Sequence, residues 1–413
     1  MSAYRNVLVL IVAVGILQLA GGLLGVITPL GLTEMGLSPT LIGVVAALHA
    51  VGFVVGAATA PRGIALFGNI RVYSAAAAIT AAAALSMALE VDPVFWAASR
   101  LVQGISFAWM FTSLESWLSS ATPANRRGGV NGLYHVCAKA ALMLGPFLAA
   151  GLSALSPEPI LWCGIFLALS LVPVCTTRIV QPDAPATETM SSVALFRLAP
   201  AGLIGAFAAG LTNTGTTAML PIFAQSMVLP GESATTVAAQ AAAAAYVGGL
   251  ISQWPAGRVS DRLDRRLVVA VMALGAGAMA VLIALGLGAV DRSLTMLAIG
   301  AWGAGSLSIY GISVAHAIDR ARADQIPQVM SGLLFVWAIG SVIGPPLFGL
   351  AMRAGIGQQG LFVATAIASF ALAGAMLFRR NARDAVPEAD SEPWEAAHPL
   401  SLAGSEMDPR SPD

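Results

Sequence analysis

The chain has 413 residues, of which 57% are hydrophobic and only 10% are charged. Soluble globular proteins carry about 25% charged residues, so this composition excludes an ordinary soluble enzyme or signalling domain. The 21 basic residues balance the 21 acidic ones, so the net charge gives no sign of a nucleic-acid partner.

The first predicted element is a membrane span rather than a secretory signal. Its apolar part, from Val7 to Leu32, is longer than the roughly 7–15 residues of a signal core, and no A-x-A-like site follows it. Eight further uncharged runs longer than 18 residues occur along the chain. Runs of ~18 or more apolar residues can cross a bilayer as helices, so the sequence predicts an all-α integral membrane protein.

In chain order, the hydropathy and the polar connectors between apolar runs predict twelve transmembrane helices. The predicted spans are residues 6–31, 39–66, 71–90, 94–120, 128–152, 159–178, 197–227, 234–257, 267–288, 293–318, 327–353 and 357–380. With the N-terminus inside, 17 of the 21 basic residues fall in the cytoplasm and only Arg292 and Arg353 fall outside. Because basic residues are retained on the cytoplasmic side, both termini are expected there.

The spans form two similar halves. "MLGPFLAAGL" (143–152) in the fifth span corresponds to "VIGPPLFGLA" (342–351) in the eleventh, and repeats of this kind are common in secondary transporters. The predicted parts are an N-terminal six-helix bundle (1–178), a cytoplasmic linker (179–196), a C-terminal six-helix bundle (197–380) and a tail (381–413). The tail is rich in proline and acidic residues, so we expect it to be disordered.

The most specific motif is "GRVSDRLDRR" (257–266), which follows the eighth span. We expect the helix to end at Gly257 and Asp261 to sit in the turn, where its carboxylate could accept hydrogen bonds from the N-terminus of the fifth helix. The motif resembles the cytoplasmic loop signature of the major facilitator superfamily. That resemblance implies a latch that opens when the transporter switches between its outward-facing and inward-facing states. The latch would be formed by five residues: Gly257, Asp261, Arg262, Arg265 and Arg266.

The alternative is a solvated basic loop that only sets the topology. The first-half counterpart, "PRGIALFGNIR", has Ala65 where the Asp is expected, so a symmetric first-half latch is not predicted.

Other segments extend the resemblance. "RLVQGISFA" (100–108) is similar to a fourth-helix motif of the superfamily, and "GLYHVCAKAALMLGPFLAAG" is similar to the Gly-Pro signature of exporters. "LESWL" and "AHAIDR" resemble the bacterial YcaD-like branch. The resemblance implies two pseudo-symmetric bundles that rock around a central site in a bacterial inner membrane, and it supplies no substrate.

Three charged residues lie inside predicted spans: Arg100, Glu115 and Lys139. Each charge costs on the order of 2.5–3.5 kcal/mol at the bilayer centre, so such groups face the protein interior and find partners. Asn131, His135 and Lys139 follow a spacing of four residues and form one polar stripe. In one hypothesis Glu115 and His135 exchange protons while Lys139 or Arg100 tunes the acid or binds an anion. In the other, Glu115 forms an ion pair that only holds helices together.

Neutral polar and aromatic residues near the midplane are candidates for the substrate cavity, although each could equally be helix packing. They are Gln18, Gln103, Asn131, Asn213, Thr216, Tyr310, Trp109, Trp302 and Trp337. His49, isolated in the second span, favours a packing role. His316 and Asp319, at the inner end of the tenth span, are expected to form a gate contact with the loop arginines.

The sequence therefore predicts a secondary transporter, with proton-coupled export of a small organic molecule as the preferred activity. The alternative is uptake of a small anionic or zwitterionic metabolite, with Arg100 and Lys139 as counter-charges. A membrane enzyme or sensor is disfavoured, because the sequence shows no nucleophile–base pair, metal-ligand cluster, phosphate loop or signalling domain. We expect no cofactor and no metal; the expected partners are the substrate, protons and the lipid bilayer, and the expected state is a monomer.

Overall fold

In a computed structural model, the described residues are 2–122, 126–176, 190–286, 291–322, 325–382 and 394. The regular structure of these residues is helical. The helices are α1 (Ser2–Glu34), α2 (Pro39–Phe67), α3 (Asn69–Leu89), α4 (Pro93–Ala121), α5 (Arg127–Leu144), α6 (Pro157–Leu169), α7 (Leu171–Thr176), α8 (Ser192–Leu198), α9 (Pro200–Ala209), α10 (Gly215–Ala224), α11 (Ala234–Arg262), α12 (Arg265–Ala284), α13 (Arg292–Ser306), α14 (Ile309–Ile318), α15 (Ile326–Arg353) and α16 (Gly360–Ala382). The predicted linker lies mostly outside the described residues, and so does the tail apart from Trp394.

Ten helices in the described part of the chain are long and apolar enough to cross a membrane. The fourth and seventh predicted spans are not among them. Helix α4 has 29 residues but carries Arg100 and Glu115 together with several Ser and Thr. The seventh region is divided by a π-helical turn at Gly210–Thr214, with α9 before it and α10 after it. The all-helical fold is confirmed, whereas the count of twelve spans stays a prediction.

Two helix ends differ from the sequence prediction. Helix α11 does not end at Gly257 but continues for more than a turn to Arg262, so Asp261 lies in the last helical turn rather than in a loop. The following connection is correspondingly short, because the side chain of Asp264 accepts a hydrogen bond from the backbone N–H of Arg266 and caps α12. The fifth span is shortened, because α5 ends at Leu144 and gives way to a 3-10 turn at Gly145–Ala149.

Helices of each half pack mainly on one another: α2 and α3 on α4, α1 on α5, α11 on α13, and α12 on α16. The largest contact between the halves joins α2 to α15. We name the two ends of the assembly the Glu34 end, where α1 ends, and the Arg266 end, where α12 begins. The boundaries predicted for the two bundles stay a prediction.

The halves are closed against each other at the Glu34 end. Gly43 of α2 lies so close to α15 that a Cβ built on it would be 2.6 Å from the carbonyl carbon of Pro345, and a Cβ on Gly349 would be 2.7 Å from that of Pro39. Only glycine permits this approach of two backbones. Two hydroxyls strengthen the closure: Thr236 Oγ1 accepts from the Gly151 N–H at 3.0 Å, and Thr235 Oγ1 donates to the Leu152 carbonyl at 2.8 Å.

Towards the Arg266 end, the same two helices stand apart. A cavity of about 310 Å³ separates Phe53 and Ala57 of α2 from Ser331 and Phe335 of α15, with Met190 at its edge. The contact between the halves is therefore tight at one end and loose at the other.

Candidate functional site

Glu115 lies on α4 in the first half and is 3% exposed. The Asp92 side chain caps the start of α4 by accepting a hydrogen bond from Phe95 N at 2.8 Å, and Pro93 fits the first helical position. The hydroxyl of Tyr134 on α5 donates to Glu115 Oε1 at 3.0 Å. Glu115 makes further interactions besides this one. A buried carboxylate of this kind needs such partners, because an unpaired charge is costly in a low-dielectric interior.

The polar stripe of α5 extends from Glu115 towards the second half. Asn131, His135 and Lys139 are all at least nine-tenths buried, as expected for positions four residues apart on one face. The His135 ring packs edge-on against Tyr134 with centroids 5.2 Å apart. Lys139 Nζ donates a hydrogen bond to Gln253 Oε1 on α11. This bond crosses from one half of the protein to the other, so the stripe connects the Glu115 region to the contact between the halves.

A cavity of about 170 Å³ lies between the two halves, towards the Glu34 end. Its wall is largely apolar, with polar groups from five helices and the π-helical turn before α10: Thr28, His49, Arg100, Thr214, Thr217 and Tyr246. This composition resembles that of small-molecule sites, in which a few polar groups orient a ligand within an apolar surface.

Arg100 is the charged group of this cavity. Its guanidinium donates to the Gln103 side-chain oxygen at 2.8 Å, and His49 Nδ1 lies 3.3 Å from its backbone carbonyl. Within the described residues, the Arg100 guanidinium thus donates to a neutral amide, while its Nε is buried without an acceptor. A buried cation is normally paired with a carboxylate, so this one suits an anionic ligand group.

The structure does not bring Arg100 and Glu115 together. Arg100 lines the cavity at the Glu34 end, and Glu115 is not among the described side chains of its wall. Fifteen residues of helix separate them by about 22 Å at ~1.5 Å per residue. The 15 residues turn the helix by only about 60°, so the two side chains lie on a similar face of α4, but this axial distance keeps them apart. His49, by contrast, lies at the cavity although its sequence context favoured packing.

In the seventh span, the residues that line the cavity lie one position after the residues that the sequence analysis selected. The sequence favoured Asn213 and Thr216, but the cavity wall carries Thr214 and Thr217. The π-helical turn at Gly210–Thr214 explains the shift, since its i→i+5 bonding inserts an extra residue into the turn and rotates the following side chains. Asn213 instead accepts a hydrogen bond from Ser306 Oγ at 2.6 Å, and Thr216 bonds to Thr365 at 2.9 Å.

The other cavity candidates have packing contacts in this conformation. Gln103 bonds to Arg100 and Ser99, the Trp109 indole donates to Thr59 at 2.9 Å, and Tyr310 packs edge-on against Trp337 at 6.3 Å. The remaining three are buried: Gln18, Asn131 and Trp302. None of the nine candidates belongs to the described wall of the 170 Å³ cavity.

The loop motif forms a network within the second half. Arg265 donates through Nε to Asp319 Oδ2 at 2.6 Å and through its two terminal nitrogens to Asp319 Oδ1 and Asp261 Oδ1, both at 3.2 Å. Asp261 also accepts from the backbone N–H of Trp394 at 2.8 Å. Among the described residues, Asp261 therefore contacts α12 and the tail in this conformation, whereas the sequence analysis placed its partner at the start of the fifth helix. The reason is that Asp261 lies in the last turn of α11, four residues before Arg265 at the start of α12.

Asp264 and Gly257 belong to the same motif at the Arg266 end. Burial alone would raise the pKa of Asp264, but hydrogen bonds and charge from Arg266 outweigh it and hold the pKa of this carboxyl below its usual value. The Trp394 ring lies directly against Gly257, with no room for a side chain there. Arg262 ends α11, and His316 is buried near the arginines of this end.

Sequence reasoning missed Gln253, Tyr134 and Trp394. Gln253 and Tyr134 could have been noticed, since each is a polar group in an apolar span and Tyr134 is next to His135. Trp394 offered no signal, because a lone aromatic residue in a polar tail does not indicate its contact. Among the described residues, no group of three or more His, Cys, Asp or Glu side chains is placed to hold a metal.

Comparison with known proteins agrees with this architecture. The sequence profile of the Major Facilitator Superfamily matches residues 10–244 and 202–406. The chain is 25% identical to the MFS-type transporter YcaD of Escherichia fergusonii over 390 residues, which cover 93% of this chain and 98% of the relative. Its fold is similar to the crystal structure of the nucleoside transporter NupG (D323A mutant), with a TM-score of 0.72, 15% identity, and coverage of 89% of this chain and 99% of that one. It is also similar to a D-xylose-proton symporter, with a TM-score of 0.69, 14% identity, and coverage of 93% and 98%.

Proposed function

Because the chain belongs to the major facilitator superfamily of secondary transporters, we propose that it exports a small organic molecule across a bacterial inner membrane in exchange for protons. The observation that carries the proposal is the buried Glu115 carboxylate, bonded by Tyr134 and followed on α5 by the polar stripe to Lys139. Intramembrane titratable groups of this kind mark proton pathways in transporters.

Proton coupling requires that the protonation of Glu115 differ between the inward-facing and outward-facing states of the transporter. In this conformation the Tyr134 hydroxyl donates a hydrogen bond to the Glu115 carboxylate. Lys139, five residues further along α5, is bonded to Gln253 of the other half. When the halves rock, this bond breaks or re-forms and α5 moves with it. We infer that this movement changes the contact between Tyr134 and Glu115, and with it the proton affinity of the carboxylate.

With the N-terminus in the cytoplasm, the closed Glu34 end faces outward, and we assign the structure to an inward-facing state. The loose contact between α2 and α15 at the Arg266 end supports this assignment. In an exporter this state accepts the substrate from the cytoplasm. The 3-10 turn at Gly145–Ala149 supports export as well, since it loosens the part of the fifth span that resembles the exporter signature.

The test is transport by purified protein in liposomes that contain a pH-sensitive dye, with a panel of organic cations, neutral molecules and anions. The expected result is proton flux that appears only when a transported compound is present. Compounds that move without proton flux would remove the coupling from the proposal. Direction follows from energised membrane vesicles: an exporter accumulates its substrate in everted vesicles and not in right-side-out ones.

A second candidate is uptake of a small organic anion, and a specific observation favours it. Arg100 lines the cavity between the halves, and within the described residues its guanidinium donates to a neutral amide rather than to a carboxylate. An anionic substrate would supply the missing counter-charge through a charge-assisted hydrogen bond. Thermal stabilisation by organic anions that is lost in Arg100→Gln, but kept in Arg62→Gln, would support this candidate. Accumulation in right-side-out vesicles would then select it over export.

A further inference from the structure

The cavity of about 170 Å³ between the two halves holds a second recognition group besides Arg100, the imidazole of His49. Nδ1 of His49 lies 3.3 Å from the backbone carbonyl oxygen of Arg100. Because a carbonyl oxygen can only accept, Nδ1 carries the proton of this hydrogen bond. In the neutral ring the other nitrogen, Nε2, is then a hydrogen-bond acceptor, and within the described residues it has no donor.

The packing of α2 on α4 fixes the position of this ring. The Phe107 ring packs edge-on against it with centroids 5.8 Å apart. A Cβ built on Gly104 would lie 3.0 Å from the carbonyl carbon of His49, so only glycine lets the two backbones come this close. Nε2 therefore has a defined place in the cavity wall, as specific recognition of a ligand requires.

The same wall carries donors that suit a carboxylate. Arg100 donates through Nη1 to Gln103, and within the described residues its other terminal nitrogen, Nη2, has no acceptor. Thr28 is 5% exposed, and its hydroxyl has no partner. A carboxylate can accept from a guanidinium and from a hydroxyl at the same time. The cavity thus offers donors to an anion and one acceptor to a neighbouring polar group.

No acidic side chain belongs to the described wall of this cavity. The acidic residues of the connections at the Glu34 end either bond to other groups or are exposed; they are Glu34, Glu90, Asp92, Glu158, Glu232 and Asp291. Residues 287–290, outside the described part of the chain, are Leu, Gly, Ala and Val and bring no charge. A ligand ammonium group would therefore lack a carboxylate partner, whereas a ligand hydroxyl needs only a neutral acceptor.

We propose that this cavity binds a small hydroxy acid, with its carboxylate on Arg100 and its hydroxyl donating to Nε2 of His49. The inference rests on the proposed transport function, names the substrate class of its cavity and holds for either direction of transport. The volume is below the roughly 300–1,000 Å³ of sites for drug-sized ligands, so the ligand has few heavy atoms. The apolar part of the wall, which includes Leu24, Ile42 and Pro221, suits a short alkyl chain.

The test measures ligand-dependent thermal stability of the purified full chain in a neutral detergent, since a bound ligand raises the melting temperature. The ligands are butanoate, 2-hydroxybutanoate, 3-hydroxybutanoate, 4-hydroxybutanoate and 2-aminobutanoate, which differ only in the presence, position and kind of one polar group. His49→Phe keeps an aromatic ring but removes both nitrogens, and His49→Gln keeps a donor and an acceptor. Arg100→Gln removes the charge, and Arg62→Gln makes the same change at an exposed position of α2.

In the wild type, at least one hydroxy acid should bind about three- to tenfold more tightly than butanoate, which is the gain from one neutral hydrogen bond. This preference should be kept in His49→Gln and should vanish in His49→Phe, while butanoate binds both variants like the wild type. Arg100→Gln should weaken the binding of every acid by at least about tenfold, and Arg62→Gln should not.

Equal affinities of butanoate and all three hydroxy acids for the wild type would overturn the proposal, and so would a preference that persists in His49→Phe. Tightest binding of 2-aminobutanoate, or no stabilisation by any of the acids, would overturn it too. If His49→Phe does not fold, the wild type and His49→Gln decide, since the proposal requires the same preference in both. No transport is measured, so a failure here leaves proton-coupled export to its own liposome test, and a failure of that test leaves the binding preference unchanged.

Discussion

Replacing Glu115 by glutamine is the most informative single change, because it removes the titratable group while keeping the size of the side chain. In the structure, the Tyr134 hydroxyl donates to this carboxylate at 3.0 Å. A hydrogen bond to a charged group contributes about 1.5–3 kcal/mol and a neutral one about 0.5–1.5 kcal/mol. Glu115→Gln can still accept from Tyr134, so we expect it to lose on the order of 1 kcal/mol of unfolding free energy.

The two roles considered for Glu115 predict different losses of unfolding free energy in Glu115→Gln. If Glu115 only holds helices together as a buried ion pair, removal of one charge should cost about 3–5 kcal/mol and the protein should fold poorly. If Glu115 carries protons, the variant should fold and bind substrate, but gradient-driven transport should fall by at least about tenfold. Exchange of substrate across the membrane without a pH gradient should continue.

The assay compares both kinds of transport in liposomes, together with the melting temperature of each variant. Glu158→Gln makes the same chemical change at an exposed position and serves as the control. Tyr134→Phe removes only the donor and should shift the pH dependence of transport without abolishing it. Gradient-driven transport at the wild-type rate in Glu115→Gln would refute the proton role. Equal loss of exchange and of gradient-driven transport in a well-folded variant would refute it too.

Three other changes test the ends of the molecule. Asp261→Asn weakens the bonds to Arg265 and the tail, so labelling of a cysteine introduced in the cavity should change, and unchanged labelling would count against the latch. Gly43→Ala places a Cβ against the Pro345 backbone and should open the Glu34 end, seen as faster labelling from outside; the control Gly15→Ala, which has open space around its Cβ, should leave labelling unchanged. For Asp264→Asn, the stabilisation lost is that of a carboxyl with a lowered pKa. This stabilisation is present above the pKa of the unfolded state, about 3.9, and disappears as the pH falls through the lower folded pKa. The melting temperatures of wild type and variant should therefore differ at pH 7 and converge below about pH 4, and a difference that grows on acidification would contradict the reasoning.

Part of the site could be predicted from sequence because it depends on one helix at a time. Asn131, His135 and Lys139 share a face of α5 by helical periodicity alone, and their burial follows from the apolar residues around them. The prediction that α11 ends at Gly257 was wrong for a local reason. Glycine near a charged motif suggested a turn, whereas the helix continues to Arg262 and the cap comes from Asp264.

The sequence by itself determined the class of fold, the approximate positions of the helices and the family, because apolar runs and charged connectors respond to the bilayer along the chain. Only the tertiary structure decided which side chains meet. The bond from Lys139 to Gln253, the separation of Arg100 from Glu115 and the shift from Thr216 to Thr217 depend on how helices cross and where one of them takes a π-helical turn. These rotations and distances arise from packing between helices far apart in sequence, which local periodicity does not encode.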